Sequence, residues 1–360
     1  MEIAVIGIRG LPGVQGGVEN HCECIFPLCD DSVKFRVYRR KPYLNETTLA
    51  AKYPNITFVD LPSTRIKGFE AVLHTFLCCM HLIFHRVDLV NIHNIGPGMF
   101  TPLLRLFGLK VLLTYHSANY EHKKWGTFAK MLLRFSEFLS LNMANKIIFV
   151  NKFQMAKYPE KIKAKSVYIP NGINKVTRSE GTGFLDKFGL KKKEYILAVG
   201  RITPEKGFDW LIRAVNKADN IRTLVIAGAS DHDTAYFEQL KALDVNHKTV
   251  FTGFTTGEDL RQLYSHARMY VLSSVNEGFP LVMLEAMSYS LPMVVTDIPA
   301  THLIEIDSSC YAKKADDDSL AERISAKYDV VPDGEKYELD DYDWDKIARL
   351  TVDTYKSVKH

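Results

Sequence analysis

The chain has 360 residues, 46% hydrophobic and 24% charged, with a formal net charge of +4. That length exceeds what one ordinary core requires, and the composition excludes a disordered, collagenous or disulfide-stapled chain. The 6 cysteines include no C-x-x-C pair, and the longest apolar run, residues 72–84, is too short to span a bilayer and carries His74 and His81.

The N-terminus runs directly into apolar residues, so no leader is expected, and the setting reads as reduced and cytoplasmic. Charge is unevenly placed. Residues 1–170 hold 22 Lys and Arg against 12 Asp and Glu, a net +10, whereas residues 171–360 hold 24 against 30, a net −6. A basic half suggests that one domain faces something anionic.

Residues 3–7 read as a first strand, followed by a loop holding Gly10, Gly13, Gly16 and Gly17 that enters a helix at Val18-Glu19-Asn20-His21. Glycines there allow the backbone to approach a phosphate closely. The spacing is neither the dinucleotide G-x-G-x-x-G nor a P-loop. Strands are expected over 33–38 and 56–59, then a long helix over 64–86. Within that helix His74, Cys78, His81 and His85 share a face. Three turns span about 16 Å, so one helix cannot wrap these four around one ion, and the series reads as packing. Further strands follow over 88–92, 111–115, 147–151 and 167–169. His93, Asn94 and His116 fall at strand C-termini, where open α/β sheets bind ligands, on one rim with Gly16 and Gly17. His116 could donate to a sugar hydroxyl or a phosphate.

Residues 175–193, rich in Lys, Gly, Ser and Thr, read as a linker. Strands resume at 195–199, followed by Gly200-Arg201 and Lys206-Gly207, where two cations behind a strand can clamp a diphosphate. Strands over 221–228, 248–251, 267–274 and 293–296 continue the alternation, which implies parallel sheets. Asp231-His232-Asp233 has the form of a metal clamp, but Arg201 and Lys206 would make a metal unnecessary. The stretch Asn276-Glu277-Gly278-Phe279-Pro280-Leu281 leads from a strand into a helix bearing Glu285. Two carboxylates flanking a helix N-terminus suit a ligand with a sugar at each end and a diphosphate between.

Gly16-Gly17-Val18-Glu19, Pro170-Asn171-Gly172, Gly200-Arg201 with Lys206-Gly207, Phe251-Thr252-Gly253, and Glu277-Gly278-Phe279-Pro280 with Glu285-Ala286 together resemble the GT-B fold glycosyltransferases of family 4, the group 1 glycosyltransferases. Gly7 to Pro12 and Trp125-Gly126 resemble the rhamnosyltransferase-like subgroup of bacterial surface-polysaccharide assembly. The resemblance implies an α/β fold of two doubly wound Rossmann-like domains facing a central cleft. An acceptor-side domain over 1–172 would carry a returning helix at 345–360, and a nucleotide-sugar-binding domain would cover 173–344. It implies a retaining transferase that needs no cofactor or metal. A hexose or deoxyhexose would pass from a nucleoside diphosphate sugar to a glycan, lipid-linked acceptor, with no nucleic-acid partner.

By the same resemblance Arg201 and Lys206 hold the diphosphate, and Glu285 the ribose. Glu277 with Gly278 and Phe279 holds the transferred sugar, Gly16 and Gly17 approach the phosphates, and His116 lies by the sugar. Glu19, Asn171, Gly253, Pro280 and Leu281 complete the substrate-binding set. The alternatives are a non-catalytic nucleotide-sugar binder and a glycoside hydrolase with Glu277 and Glu285 as its pair. The basic half, the 64–86 helix and the mix of Lys123, Lys124, Trp125, Lys130 and Arg134 suggest peripheral docking on an anionic inner membrane face.

Overall fold

A computed structural model describes the chain except for residues 15, 67, 119, 121–125, 175, 231–233, 330–334 and 359–360. The Asp231-His232-Asp233 motif and the segment holding Lys123, Lys124 and Trp125 lie outside the described residues. The chain divides into two compact units, Met1–Asn174 with Asp341–His360, and Lys175–Asp340.

The first unit is built on seven strands: β1 (Glu2–Ile6), β2 (Lys34–Arg40), β3 (Ile56–Leu61), β4 (Leu89–His93), β5 (Val111–Tyr115), β6 (Lys146–Phe149) and β7 (Ser166–Tyr168). They pair in parallel in the order β3-β2-β1-β4-β5-β6-β7. Their helices are α1 (Gly17–Ile25), α2 (Glu46–Ala50), α3 (Phe69–Phe84), α4 (Thr101–Leu106), α5 (Thr127–Met143), α6 (Lys152–Ala156) and α7 (Glu160–Lys163). The central strands β1, β4, β5 and β6 are largely apolar because both faces of the sheet are covered there, whereas β2 carries four basic residues and β3 and β7 at the edges are partly exposed. Every residue of β4 and β5 is buried, and Ala4, Ile6, Val90, Ile92, Val111, Leu113 and Phe149 join Cys78, Cys79 and Leu82 of α3 in one core.

The second unit opens with a short helix, α8 (Gly183–Lys187), inside the stretch expected to be linker. Phe184 and Leu185 anchor that helix by burial, a signal too short to show as periodicity. The strands are β8 (Tyr195–Val199), β9 (Thr223–Ala227), β10 (Thr249–Gly253), β11 (Met269–Leu272), β12 (Met293–Thr296) and β13 (Tyr311–Ala312). All are parallel, in the order β10-β9-β8-β11-β12-β13. The connecting helices are α9 (Phe208–Lys217), α10 (Thr234–Leu243), α11 (Gly257–His266), α12 (Leu281–Ser288) and α13 (Asp317–Tyr328). Phe208, Leu211, Ile212 and Val215 of α9 pack on Ile196, Leu224 and Ile226 of the sheet and on Leu320 and Ile324 of α13.

The last helix, α14 (Trp344–Ser357), belongs to the first unit and packs on α1. Asp343 caps it, its carboxylate accepting from the amides of Asp345 at 2.7 Å and Lys346 at 3.4 Å, which fixes where the helix begins. From the sequence, Ile347, Leu350, Val352 and Tyr355 are the apolar positions of this helix expected to need a partner face; Ile347, Val352 and Tyr355 are buried, whereas Leu350 is 43% exposed. A 3.6-residue period puts position 350 on the opposite side of the helix from 352 and 355. Gly172 lies under the start of this helix, where an added Cβ would stand 2.6 Å from Trp344 Cδ2 and 2.8 Å from the Tyr342 carbonyl.

Gly172→Ala should therefore lift the helix start. Overpacking of this kind costs about 1–3 kcal/mol, read as a lower melting temperature with altered Trp344 fluorescence. Gly183→Ala, whose Cβ meets nothing, is the control expected to stay within about 0.5 kcal/mol of the parent. Equal melting of both variants would contradict the packing described.

Candidate active site

In both sheets the chain order reverses beside the first strand: β1 is flanked by β2 and β4, and β8 by β9 and β11. Connections leaving two such neighbours depart to opposite faces and open a crevice at their C-terminal ends. The candidate residues gather at these two places.

In the second unit, β8 ends at Val199 and the chain turns through Gly200, Arg201 and a 3-10 turn over Pro204–Lys206 into α9. Gly207, at φ 64°, is left-handed, and a Cβ there would collide with the Ser273 carbonyl at the end of β11. The glycine lets the two strand-end loops join. Ser273 Oγ donates to the Lys206 carbonyl at 2.9 Å, and the Val275 amide donates to the Glu205 carbonyl at 2.9 Å. Lys206 Nζ consequently meets Glu277 Oε1 at 2.6 Å, and Ser274 Oγ donates to the same oxygen at 2.7 Å. Both side chains of this ion pair are largely shielded, 18% exposed for Lys206 and 12% for Glu277.

Gly228 stands so close behind Gly200 that a Cβ on it would overlap the Gly200 carbonyl. Gly253, at the end of β10, is bridged to Gly228 and has open space where a Cβ would point. The ends of β8, β9 and β10 thus present bare backbone beside Lys206. Arg201 is half-buried there. Gly278, Phe279 and Pro280 lead into α12 from Leu281, with Phe279 and Pro280 buried. Glu285, one turn into α12, accepts from Tyr264 Oη at 2.8 Å. Burial pushes its carboxyl above the usual carboxylate range, and the Tyr264 hydroxyl works against that rise.

In the first unit, Gly16 precedes α1 and Gly17 opens it. A Cβ on Gly16 would collide with the Glu19 carboxylate, which folds back and accepts from the Arg9 amide at 3.0 Å. Glu19 therefore closes its own loop. His116, just past β5, is buried beside His93 and His21. His93 Nδ1 lies 2.9 Å from His116 Nε2, and His21 Nδ1 lies 2.7 Å from Asn171 Oδ1. Nitrogens of the three rings lie within 4.8 Å of one another, a spacing a metal ion could bridge. Desolvation pushes His21 down to about 4 and holds His93 and His116 well below the ordinary histidine value, so all three are neutral at pH 7.

His74 and Cys78 of α3 are buried in contact, with Sγ 3.6 Å from Nδ1, and His81 stacks on His85 and meets the Tyr38 hydroxyl at 2.9 Å. They pack, as their helix spacing implies. Ser274, Tyr264, His21 and Asn91 are structural partners of the site that the sequence reading passed over. Ser274 stands three residues before Glu277 in the same loop, whereas Tyr264, His21 and Asn91 come from other elements, and no local spacing joins those three to Glu285 or His116.

Two family models match the chain: Glycosyltransferase Family 4 over residues 37–176 and Glycosyl transferases group 1 over residues 193–329. An uncharacterized glycosyltransferase of Methanocaldococcus jannaschii is 35% identical over 214 residues, 54% of each chain. The O-antigen chain mannosyltransferase RfbU of Salmonella typhimurium is 26% identical over 238 residues, 64% of this chain and 63% of that protein. The chain thus spans between about half and two thirds of the length of these curated relatives. Sucrose-phosphate synthase from Thermosynechococcus elongatus has the same fold, with a TM-score of 0.82 at 20% identity over 99% of this chain and 98% of that one. HepE of Anabaena, solved with UDP and glucose, superposes with a TM-score of 0.78 at 17% identity over 99% and 100%. The α/β architecture of two parallel sheets is that of the GT-B glycosyltransferases. The chain belongs to the group 1 glycosyltransferases of family 4.

Proposed function

We propose that the chain transfers a hexose or deoxyhexose from a nucleoside diphosphate sugar to a glycan acceptor, with retention and without a metal. The observation that carries this reading is the Lys206–Glu277 pair, set among the bare glycine backbone at the ends of β8, β9 and β10. Glu277 holds the Lys206 ammonium and Ser274 holds the Glu277 carboxylate, and such preorganisation stabilises charge as a leaving group develops it. Lys206 and Arg201 serve the diphosphate, Glu285 accepts from the ribose hydroxyls, and Glu277 with the Gly278 and Phe279 amides serves the transferred sugar. In the first unit His116 serves the sugar, and Gly16 and Gly17 let the backbone approach a phosphate. Asn171 acts through His21. Two names among the similar proteins support a nucleotide-sugar donor and a glycan acceptor: HepE with UDP-glucose, and the O-antigen chain mannosyltransferase.

The acceptor in this reading is lipid-linked, and the first unit docks on the anionic face of a membrane. Among the described residues no helix is long and apolar enough to cross one. Along α5, however, Phe128, Met131, Leu132, Phe135 and Phe138 are exposed, with Lys130 and Arg134 among them. Along α3, Phe69, Phe76, Met80 and Phe84 are exposed as well, while Cys78, Cys79 and Leu82 face the core. A stripe of exposed aromatic residues among cations suits an interfacial helix.

Replacing Lys206 or Arg201 by Ala should lower turnover by about 3 kcal/mol in barrier, roughly 100-fold, while EDTA leaves the parent rate unchanged. Near-normal turnover of both variants, with melting recorded on each, would remove the diphosphate assignment. A loss of rate in EDTA restored by Mn²⁺ would remove the metal-independent one.

Binding of the donor should weaken on acidification, because Glu285 accepts ribose hydroxyls as a carboxylate and is protonated as pH falls through its raised pKa. Tyr264→Phe removes the hydroxyl that opposes the rise, so the midpoint should move to higher pH. Glu285→Gln should erase this part of the pH dependence in calorimetric titrations. A midpoint unmoved by Tyr264→Phe would contradict the assignment.

The full chain should float with vesicles containing anionic lipid, less so at high salt, each surface cation contributing about 1 kcal/mol. A double Lys130→Glu and Arg134→Glu change should weaken flotation. Equal flotation on neutral vesicles, indifferent to salt, would refute electrostatic docking.

A further inference from the structure

Behind His116 runs a buried chain of hydrogen bonds that reaches the C-terminal helix. Asn91, in the middle of β4 and 1% exposed, sits at its centre. Its Oδ1 accepts from Thr114 Oγ1 at 2.9 Å. Its Nδ2 donates to the Tyr355 hydroxyl of α14 at 2.8 Å and points at His93 Nε2 at 3.1 Å. His93 Nδ1 in turn lies 2.9 Å from His116 Nε2.

A neutral imidazole has one N–H and one lone pair. A donor amide at His93 Nε2 puts the lone pair there and the proton on Nδ1. His93 Nδ1 then donates to His116 Nε2, whose lone pair is used, and the proton of His116 falls on its Nδ1. Among the described residues His116 Nδ1 has no hydrogen-bond partner. Both nitrogens of His93 are engaged in this chain, so His93 has no lone pair to offer a cation together with His21 and His116.

We propose that Asn91 and His93 are positioning residues that fix His116 as its Nδ1–H tautomer, so that it meets the substrate as a hydrogen-bond donor rather than an acceptor. What His116 donates to rests on the transferase reading; the tautomer does not. The substrate oxygen can be a sugar hydroxyl or a phosphate oxygen, since both accept. The inference also gives α14 a part in the site. Asn91 turns its amide nitrogen toward the Tyr355 hydroxyl and His93 and its carbonyl toward Thr114. The opposite orientation of the amide would reverse the whole chain and make His116 Nδ1 an acceptor. At metal centres, partners that orient a ligating histidine change affinity or activity about 10- to 100-fold when removed, and the effect expected for orienting His116 lies at the low end of that range.

The test is long-range ¹H–¹⁵N spectroscopy of the histidine rings in the full chain labelled with ¹⁵N-histidine, with His116 assigned by its loss in His116→Gln. In the parent protein His116 Nε2 should be unprotonated and Nδ1 protonated. His93→Asn places an amide N–H where Nδ1 stood and should keep this state, whereas His93→Leu should give a mixture of tautomers. Asn91→Asp presents a carboxylate to His93 Nε2, draws the proton there, and should move the His116 proton to Nε2. Turnover should follow, with kcat preserved within a few-fold in His93→Asn and lowered about 10-fold in His93→Leu, and KM for the donor little changed.

A parent protein with the proton on His116 Nε2 would overturn the proposal. So would an Asn91→Asp variant, folded by its melting curve, with an unchanged His116 tautomer, or ring shifts of all three histidines on addition of Zn²⁺ alone. Should the variants fail to fold, the parent spectrum still decides. If the tautomer is as stated but no nucleotide sugar is turned over, the transferase reading fails and the positioning stands.

Discussion

Parallel strands can bind a ligand only where their ends are not crossed by their own connections, and each sheet of this chain has one such place. At the end of β8 the chain leaves toward α9, and at the end of β11 it leaves toward α12. The gap between these departures is held open by Gly207, whose missing Cβ lets one loop rest on the Ser273 carbonyl of the other. Lys206 and Glu277 meet because those loops are joined, Ser273 to Lys206 and Val275 to Glu205. In the first sheet Gly7 plays the same part, since a Cβ there would collide with the His93 carbonyl at the end of β4. Side chains that carry the chemistry thus depend on backbone contacts that only glycine permits.

The two places solve opposite electrostatic problems. In the second unit a shielded ammonium and carboxylate are paired with each other, with Ser274 as a third partner. Removing one member of such a pair strands the other, a larger loss than the pair's net contribution to stability. In the first unit, desolvation keeps His21, His93 and His116 neutral, so the cluster can offer directional hydrogen bonds without importing charge. Charged groups suit the diphosphate of a donor, and neutral donors and acceptors suit hydroxyl groups.

The alternation of apolar runs with helix patterns made both sheets legible, because β1, β4, β5, β8 and β9 are buried on both faces and read as continuous apolar strands. Strand ends were legible for the same reason, and so were Gly200, Lys206, Glu277 and His116, each directly past a strand or in the loop it enters. Partners supplied across the sheet were not. Asn91 looks like any polar residue in an apolar run, and its bonds to Tyr355, 264 residues away, follow from the return of α14 to the first unit. Leu350 was grouped with the buried face because it is apolar, although its angular position on the helix exposes it. Burial of the short α8 by Phe184 and Leu185 is likewise a tertiary fact.

The claim at the centre of this account is that the second unit binds a nucleoside diphosphate at Lys206, Glu277 and Glu285. Thermal melting of the full chain with UDP-, GDP- and dTDP-sugars and a CMP-sugar tests it most directly. A ligand bound only by the native state raises the melting temperature with its concentration, about 2.7 kcal/mol of added stability at 100 times Kd. The account predicts a saturable rise with at least one nucleoside diphosphate sugar and with its nucleoside diphosphate alone, and none with the CMP-sugar, which lacks a diphosphate. No rise with any of the three diphosphate sugars at millimolar concentration would contradict it.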